Sequence, residues 1–155
     1  PKVCPRHRTV VGLEALIRWP HPVTGREVQP AEFIPFIETT AYIHPVTQWV
    51  LNRALADLAS LPEHPALSVA VNISAKNLLD ERLVPKVAEA LDRTGVAAHR
   101  LELELTESSF LSSPRFAREQ IEALAELGVR VSIDDFGTGF SSLSYLQDLP
   151  VHAIK

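Results

Sequence analysis

The stretch Val129-Arg130-Val131-Ser132-Ile133-Asp134-Asp135-Phe136-Gly137-Thr138-Gly139-Phe140-Ser141-Ser142-Leu143 passes from an apolar segment through two adjacent carboxylates into a Gly/Ser/Thr turn and then a helix-like pattern. A strand, a turn and a helix in that order form the repeating unit of α/β folds, which place their sites at the carboxyl ends of strands. Asp134 and Asp135 stand at such an end. Neighbouring carboxylates repel each other, and a partly buried pair is relieved by a cation. A helix cap beside a solvated neighbour would also account for an isolated Asp-Asp, but further acids at strand ends favour the cation.

Those acids appear on working outward. Leu101 to Leu105 reads as a strand in which Leu101, Leu103 and Leu105 oppose Glu102 and Glu104, and acids on a buried strand need a partner. Before it, Ser68 to Ser74 is a strand with Val69, Val71 and Ile73 on one face and Ala70 and Asn72 on the other. Earlier still, Val10 to Trp19 reads as a strand that turns Glu14, Leu16 and Arg18 to one side.

Helical patterns fill the gaps: Pro30 to Ile37, and Pro45 to Leu61 with Val46, Trp49, Val50 and Leu58 at helical spacing and Trp49 expected in the core. A third helix carries Leu83, Val84, Val87 and Leu91, capped by Asp80 and closed by Gly95. Ser113-Pro114 opens a fourth that ends at Gly128, and Ser141 or Ser142 begins a fifth running to Leu149. Val151 to Ile154 is the last strand. This alternation predicts a parallel sheet with helices outside, and its recurring small or polar face predicts a barrel interior. No internal repeat, low-complexity tract or linker interrupts it.

Composition narrows the function. The 155 residues are 46% hydrophobic and 22% charged, which suits one domain with a sizeable core. A net charge of -4 argues against a nucleic-acid polymer or an anionic membrane as partner, since both are held by clustered Lys and Arg. A phosphate-bearing substrate would therefore need metal ions for counter-charge. The single Cys4, expected as a small buried hydrophobe, forms no internal disulfide and fits a reducing, cytoplasmic compartment. No apolar run is long enough to span a bilayer, and no signal peptide is visible. The six histidines lack metal-ligand spacing, and His21, His44, His64 and His99 are expected at the surface. Both ends read as cut from a longer chain.

Six motifs in one order then resemble a known family: Glu14-Ala15-Leu16 with Ile17-Arg18-Trp19, Phe33-Ile34-Pro35, Val71-Asn72-Ile73-Ser74, Glu104-Leu105-Thr106-Glu107-Ser108, Asp134-Asp135-Phe136-Gly137-Thr138-Gly139, and Ile154-Lys155. The chain resembles the EAL domains, bacterial cyclic-di-GMP phosphodiesterases. The resemblance implies a TIM-type (β/α) barrel with an antiparallel first strand, here stopping after about the sixth strand and followed elsewhere by roughly three strand-helix units. It implies hydrolysis of cyclic-di-GMP to linear pGpG.

By motif, Glu14, Asn72, Glu104 and Asp134 resemble the ligands of one divalent ion, with Asp134 bridging to a second ion held also by Asp135. All are oxygen donors, suited to two Mg²⁺ or Mn²⁺ per complete domain. The resemblance makes Glu14, Asp135 and Lys155 catalytic, with Lys155 near the attacking water. It gives Leu16, Arg18, Asn72 and Asp135 to the substrate, Arg18 gripping a phosphate. Glu107 becomes the anchor of the loop Phe136 to Ser142. Plainer roles compete: an ion pair for Glu14 and Arg18, a backbone bond for Asn72, a solvated end for Lys155. It further implies a homodimer through the complete domain, attached signalling domains and a parent protein that other domains could anchor to a membrane.

The family's Gln before Pro1-Lys2-Val3, its later metal-binding Glu and its downstream Gln motif fall outside the chain, and Thr39-Thr40-Ala41-Tyr42 replaces a Gly-containing turn. The first metal site is expected to be complete within the chain and the second incomplete. An EAL domain that binds cyclic-di-GMP without cutting it is one rival reading. A Schiff-base lyase using Lys155, reached without the family, is another.

Overall fold

The computed structural model describes residues 1–4, 7–61, 67–106, 113–134 and 149–154. The described strands are β1 (Lys2–Val3), β2 (Val10–Ala15), β3 (Trp19–Pro20), β4 (Glu27–Val28), β5 (Ser68–Ile73), β6 (Leu101–Thr106), β7 (Arg130–Asp134) and β8 (Ala153–Ile154). The helices are α1 (Pro30–Glu38), α2 (Ile43–Ala59), α3 (Ala75–Leu78), α4 (Leu83–Thr94) and α5 (Pro114–Glu126). Six strands make one sheet in the order β1-β2-β5-β6-β7-β8, while β3 and β4 form a separate ribbon. Among the described strands of the six-stranded sheet, only β1 is antiparallel to its neighbour and every later pairing is parallel; the β3–β4 ribbon is itself antiparallel. The architecture is that of an incomplete (β/α) barrel with an antiparallel first strand, as the sequence leads one to expect.

Period-2 alternation explains the layering. Val71, Ile73, Leu101, Leu103, Leu105, Val131 and Ile133 are buried with Leu51, Leu55 and Leu58 of α2, Val87 of α4, and Ile121 and Leu124 of α5. Each such side chain contributes about 1.5–3 kcal/mol by leaving water. The opposite face carries Ala70, Glu102, Glu104 and Ser132, small or polar and all buried. This is the narrow inner face of a barrel.

Several local expectations change. The strand from Val10 ends at Ala15, and Trp19 belongs to the β3–β4 ribbon, where its ring meets Phe33 edge-on at 5.1 Å. Leu16 and Arg18 thus leave the sheet after Glu14. Trp49 is 58% exposed and not core. The buried stripe of α2 is Ile43, Thr47, Leu51, Ala54, Leu55 and Leu58, and at about 100° per residue Trp49 points away from it.

Around α4, Arg82 occupies the N-cap position, yet Asp80 still accepts the Arg82 backbone N–H at 3.0 Å and Gly95 closes the helix at φ 67°. His44, expected at the surface, is mostly buried, its Nδ1 lying 3.1 Å from Asp80 Oδ2. Cys4 is half-buried. The helix expected from Ser141 or Ser142 lies outside the described residues. No helix among the described residues is long and apolar enough to cross a membrane.

Candidate functional site

The strand register places the acids. Lys2 is opposite Gly12 and Gly12 opposite Ser68; Glu14 is level with Ala70, which is level with Glu102. Two residues further along, Asn72 is level with Glu104 and Glu104 with Ser132, and two further again Thr106 is level with Asp134. Steps of two keep side chains on one face. Glu14, Asn72, Glu104 and Asp134 therefore share the inner face, each near the carboxyl end of its own strand, with β2, β5, β6 and β7 adjacent.

Two of the four touch directly. Asn72 Nδ2 donates to Glu14 Oε1 at 3.0 Å, and both side chains are exposed. Glu104 is 3% exposed, and Asp134 is half-buried at the end of β7. Burying a carboxylate is costly without a counter-charge, and Lys2 provides one. Its ammonium lies 2.8 Å from Glu104 Oε1 and 2.7 Å from Glu102 Oε2. Glu102 also accepts a 2.6 Å hydrogen bond from Ser132 Oγ. Sequence reasoning marked Glu102 as an acid needing a partner but missed Lys2. Two acids at i and i+2 on a buried strand were the available signal; a lysine on a two-residue edge strand gave none.

Beside this row lies a cavity of about 390 Å³. Leu16, Ile17, Ile34 and Pro35 supply apolar walls, and Asn72 and Glu104 border its polar side. Leu16 thus reaches a space next to the acids. Arg18 does not: its Nε is 3.5 Å from Glu27 Oε1 of the ribbon, with both side chains about half exposed. Asp135, Glu107 and Lys155 lie outside the described residues.

Among the described residues, no three acidic, His or Cys side chains converge on one point as metal ligands. What fits a metal is the donor set, three carboxylates and one amide oxygen, hard ligands for Mg²⁺ or Mn²⁺ and not for a zinc site of His and Cys.

A family model described as "EAL domain" matches residues 1–155, the entire chain. The chain belongs to the EAL domain family. Among its relatives, the Pseudomonas aeruginosa protein named cyclic di-GMP phosphodiesterase NbdA is 48% identical over 145 residues, spanning 92% of this chain and 18% of that protein. A solved structure titled "PaMucR Phosphodiesterase, c-di-GMP complex" superposes with a TM-score of 0.93 at 38% identity, covering 99% of this chain and 63% of that one. The FimX EAL domain from Pseudomonas aeruginosa, bound to c-di-GMP, gives a TM-score of 0.81 at 28% identity over 91% of this chain and 56% of its own. The chain thus spans about a fifth of NbdA and under two thirds of either solved chain. As an EAL domain it has the incomplete TIM-type barrel described above.

Proposed function

We propose that the protein carrying this EAL domain is a phosphodiesterase that hydrolyses cyclic-di-GMP to linear pGpG with Mg²⁺ or Mn²⁺. The observation that carries the reading is the placement of Glu14, Asn72, Glu104 and Asp134 on one inner face of four adjacent strands, beside an apolar cavity. Glu14, Asn72, Glu104 and Asp134 would hold the first ion, and Asp134 with Asp135 would hold part of a second. Bound there, such ions polarise phosphoryl oxygens and lower the pKa of water.

The chain's own residues set the stage. Asn72 fixes the Glu14 carboxylate by its 3.0 Å hydrogen bond, so that this ligand is oriented before substrate arrives. The cations would supply at the site the positive charge that a domain of net charge -4 otherwise lacks for holding a phosphodiester anion. The walls formed by Leu16, Ile17, Ile34 and Pro35 suit the flat apolar faces of a nucleobase. By motif Lys155 would stand near the attacking water, and Arg18 would contact a phosphate, which requires exchanging its partner Glu27.

The test is hydrolysis of cyclic-di-GMP by the full-length protein, with pGpG followed by chromatography, with and without excess EDTA. Turnover that EDTA removes supports the reading. Turnover undiminished by EDTA overturns the metal, and tight cyclic-di-GMP binding with no pGpG overturns the enzyme in favour of a receptor.

A further inference from the structure

Lys2 is a cation at the row of acids that the metal reading leaves unused. Its Nζ is buried and sits between two carboxylates, 2.7 Å from Glu102 and 2.8 Å from Glu104, close as an ion pair but without the alignment of hydrogen bonds. Its stem reaches them across Gly12. A Cβ at Gly12 would press on Ser68 Oγ at 2.8 Å and touch Lys2 Cδ at 3.4 Å, so the lysine stem lies close over the bare glycine. Glu102 is held from its far side by Ser132 Oγ at 2.6 Å. A glycine gap, an edge strand and a serine thus combine to deliver one fixed positive charge to Glu104.

We propose that Lys2 is a tethered counter-cation that sets the divalent affinity of the site. It balances Glu102 and Glu104 in the folded chain and, by sharing Glu104, opposes the arrival of a metal ion. The proposal rests on Glu104 being a metal ligand, as inferred above. Ammonium and divalent ion are like charges drawing on one carboxylate, so each weakens the other's hold, and that coupling is reciprocal. Lys2 therefore trades affinity for an inner face that keeps its fold when metal is scarce.

The experiment is titration of the full-length protein with Mn²⁺ by calorimetry, paired with thermal unfolding with and without Mn²⁺. Lys2→Met is expected to bind Mn²⁺ about tenfold tighter and to gain more melting temperature from Mn²⁺ than the wild type does. Lys2→Arg, which keeps the charge, is expected to match the wild type. Should Lys2→Met not fold, the double variant Lys2→Met/Glu102→Gln removes one charge of each sign and is expected to show a smaller tightening in the same direction, because Glu102 also attracts the cation. A lysine that only supports the fold would lower the melting temperature equally with and without Mn²⁺ and leave the affinity alone; that result, or weaker binding, overturns the proposal. Absence of Mn²⁺ binding in the wild type would instead overturn the metal reading itself, and this inference with it.

Discussion

Asn72 on β5 holds Glu14 on β2 through a 3.0 Å hydrogen bond, although neither residue is buried. An exposed amide-carboxylate bond adds little to stability, on the order of 1 kcal/mol, so its consequence lies in orientation.

Asn72→Ala is therefore expected to lower kcat/KM for cyclic-di-GMP by roughly 10- to 100-fold while moving the melting temperature little. Steady-state kinetics and thermal unfolding of the same preparation check this; a collapse in stability would make Asn72 a folding residue.

Glu14→Gln and Asp134→Asn each remove a charge with almost no change of shape. Each is expected to abolish turnover and leave the circular dichroism spectrum intact. Activity above about a tenth of wild type, a loss worth only ~1.4 kcal/mol of barrier, would argue against direct ligation.

Gly12→Ala places a methyl group 2.8 Å from Ser68 Oγ and 3.4 Å from Lys2 Cδ. Ser68 Oγ must turn aside while the Lys2 stem is met only at van der Waals distance, at a cost of about 1 kcal/mol. Urea denaturation reads that loss, and an unchanged midpoint would show that the passage over Gly12 is roomier than described.

Leu51 and Trp49 sit two residues apart on α2 with opposite surroundings, 2% and 58% exposed. Leu51→Ala is expected to cost about 2–5 kcal/mol and Trp49→Ala no more than about 0.5 kcal/mol. A reversed order in chemical denaturation would rotate the helix.

Asp80 has its carboxyl held below the usual range, first by the side-chain hydrogen bonds from Arg82 and then by the Arg82 backbone N–H, with desolvation acting in the opposite sense. A depressed folded-state pKa gives stability that is complete above the unfolded value, about 3.9, and is lost as pH falls toward the folded value. Asp80→Asn should therefore be less stable than wild type at pH 7, with the gap narrowing at pH 3. Urea melts at the two pH values measure it; a gap that widens on acidification would contradict the assignment.

Strand and helix order was legible because strict alternation in Ser68–Ile73 and Leu101–Thr106 and the helical stripes of α4 and α5 leave few other readings. That Glu14, Asn72, Glu104 and Asp134 share one inner face was legible from motif and parity together. What escaped was set by contacts between distant segments. Trp49 reads as core when the stripe is phased on Val46 and Val50, whereas the buried one runs through Thr47, Leu51 and Leu55, and His44 reads as surface until Asp80 packs beside it. Arg18 sits on a strand face only if β2 continues past Ala15; the turn toward the β3–β4 ribbon and the Trp19–Phe33 contact take it elsewhere. Lys2 could be placed only by the antiparallel pairing of β1 with β2.

That pairing bears on how the molecule forms. β1 contributes two residues, and the acids its lysine meets on β6 follow it by about a hundred residues of sequence. A contact of such large sequence separation is gained late, after β2, β5 and β6 have docked in parallel, because loop-closure entropy is lost before the contact can offset it. During synthesis the opening residues must therefore wait for most of the sheet to emerge. An upstream domain that delayed or strained the β1 edge would slow the final maturation step without touching any of the carboxylates.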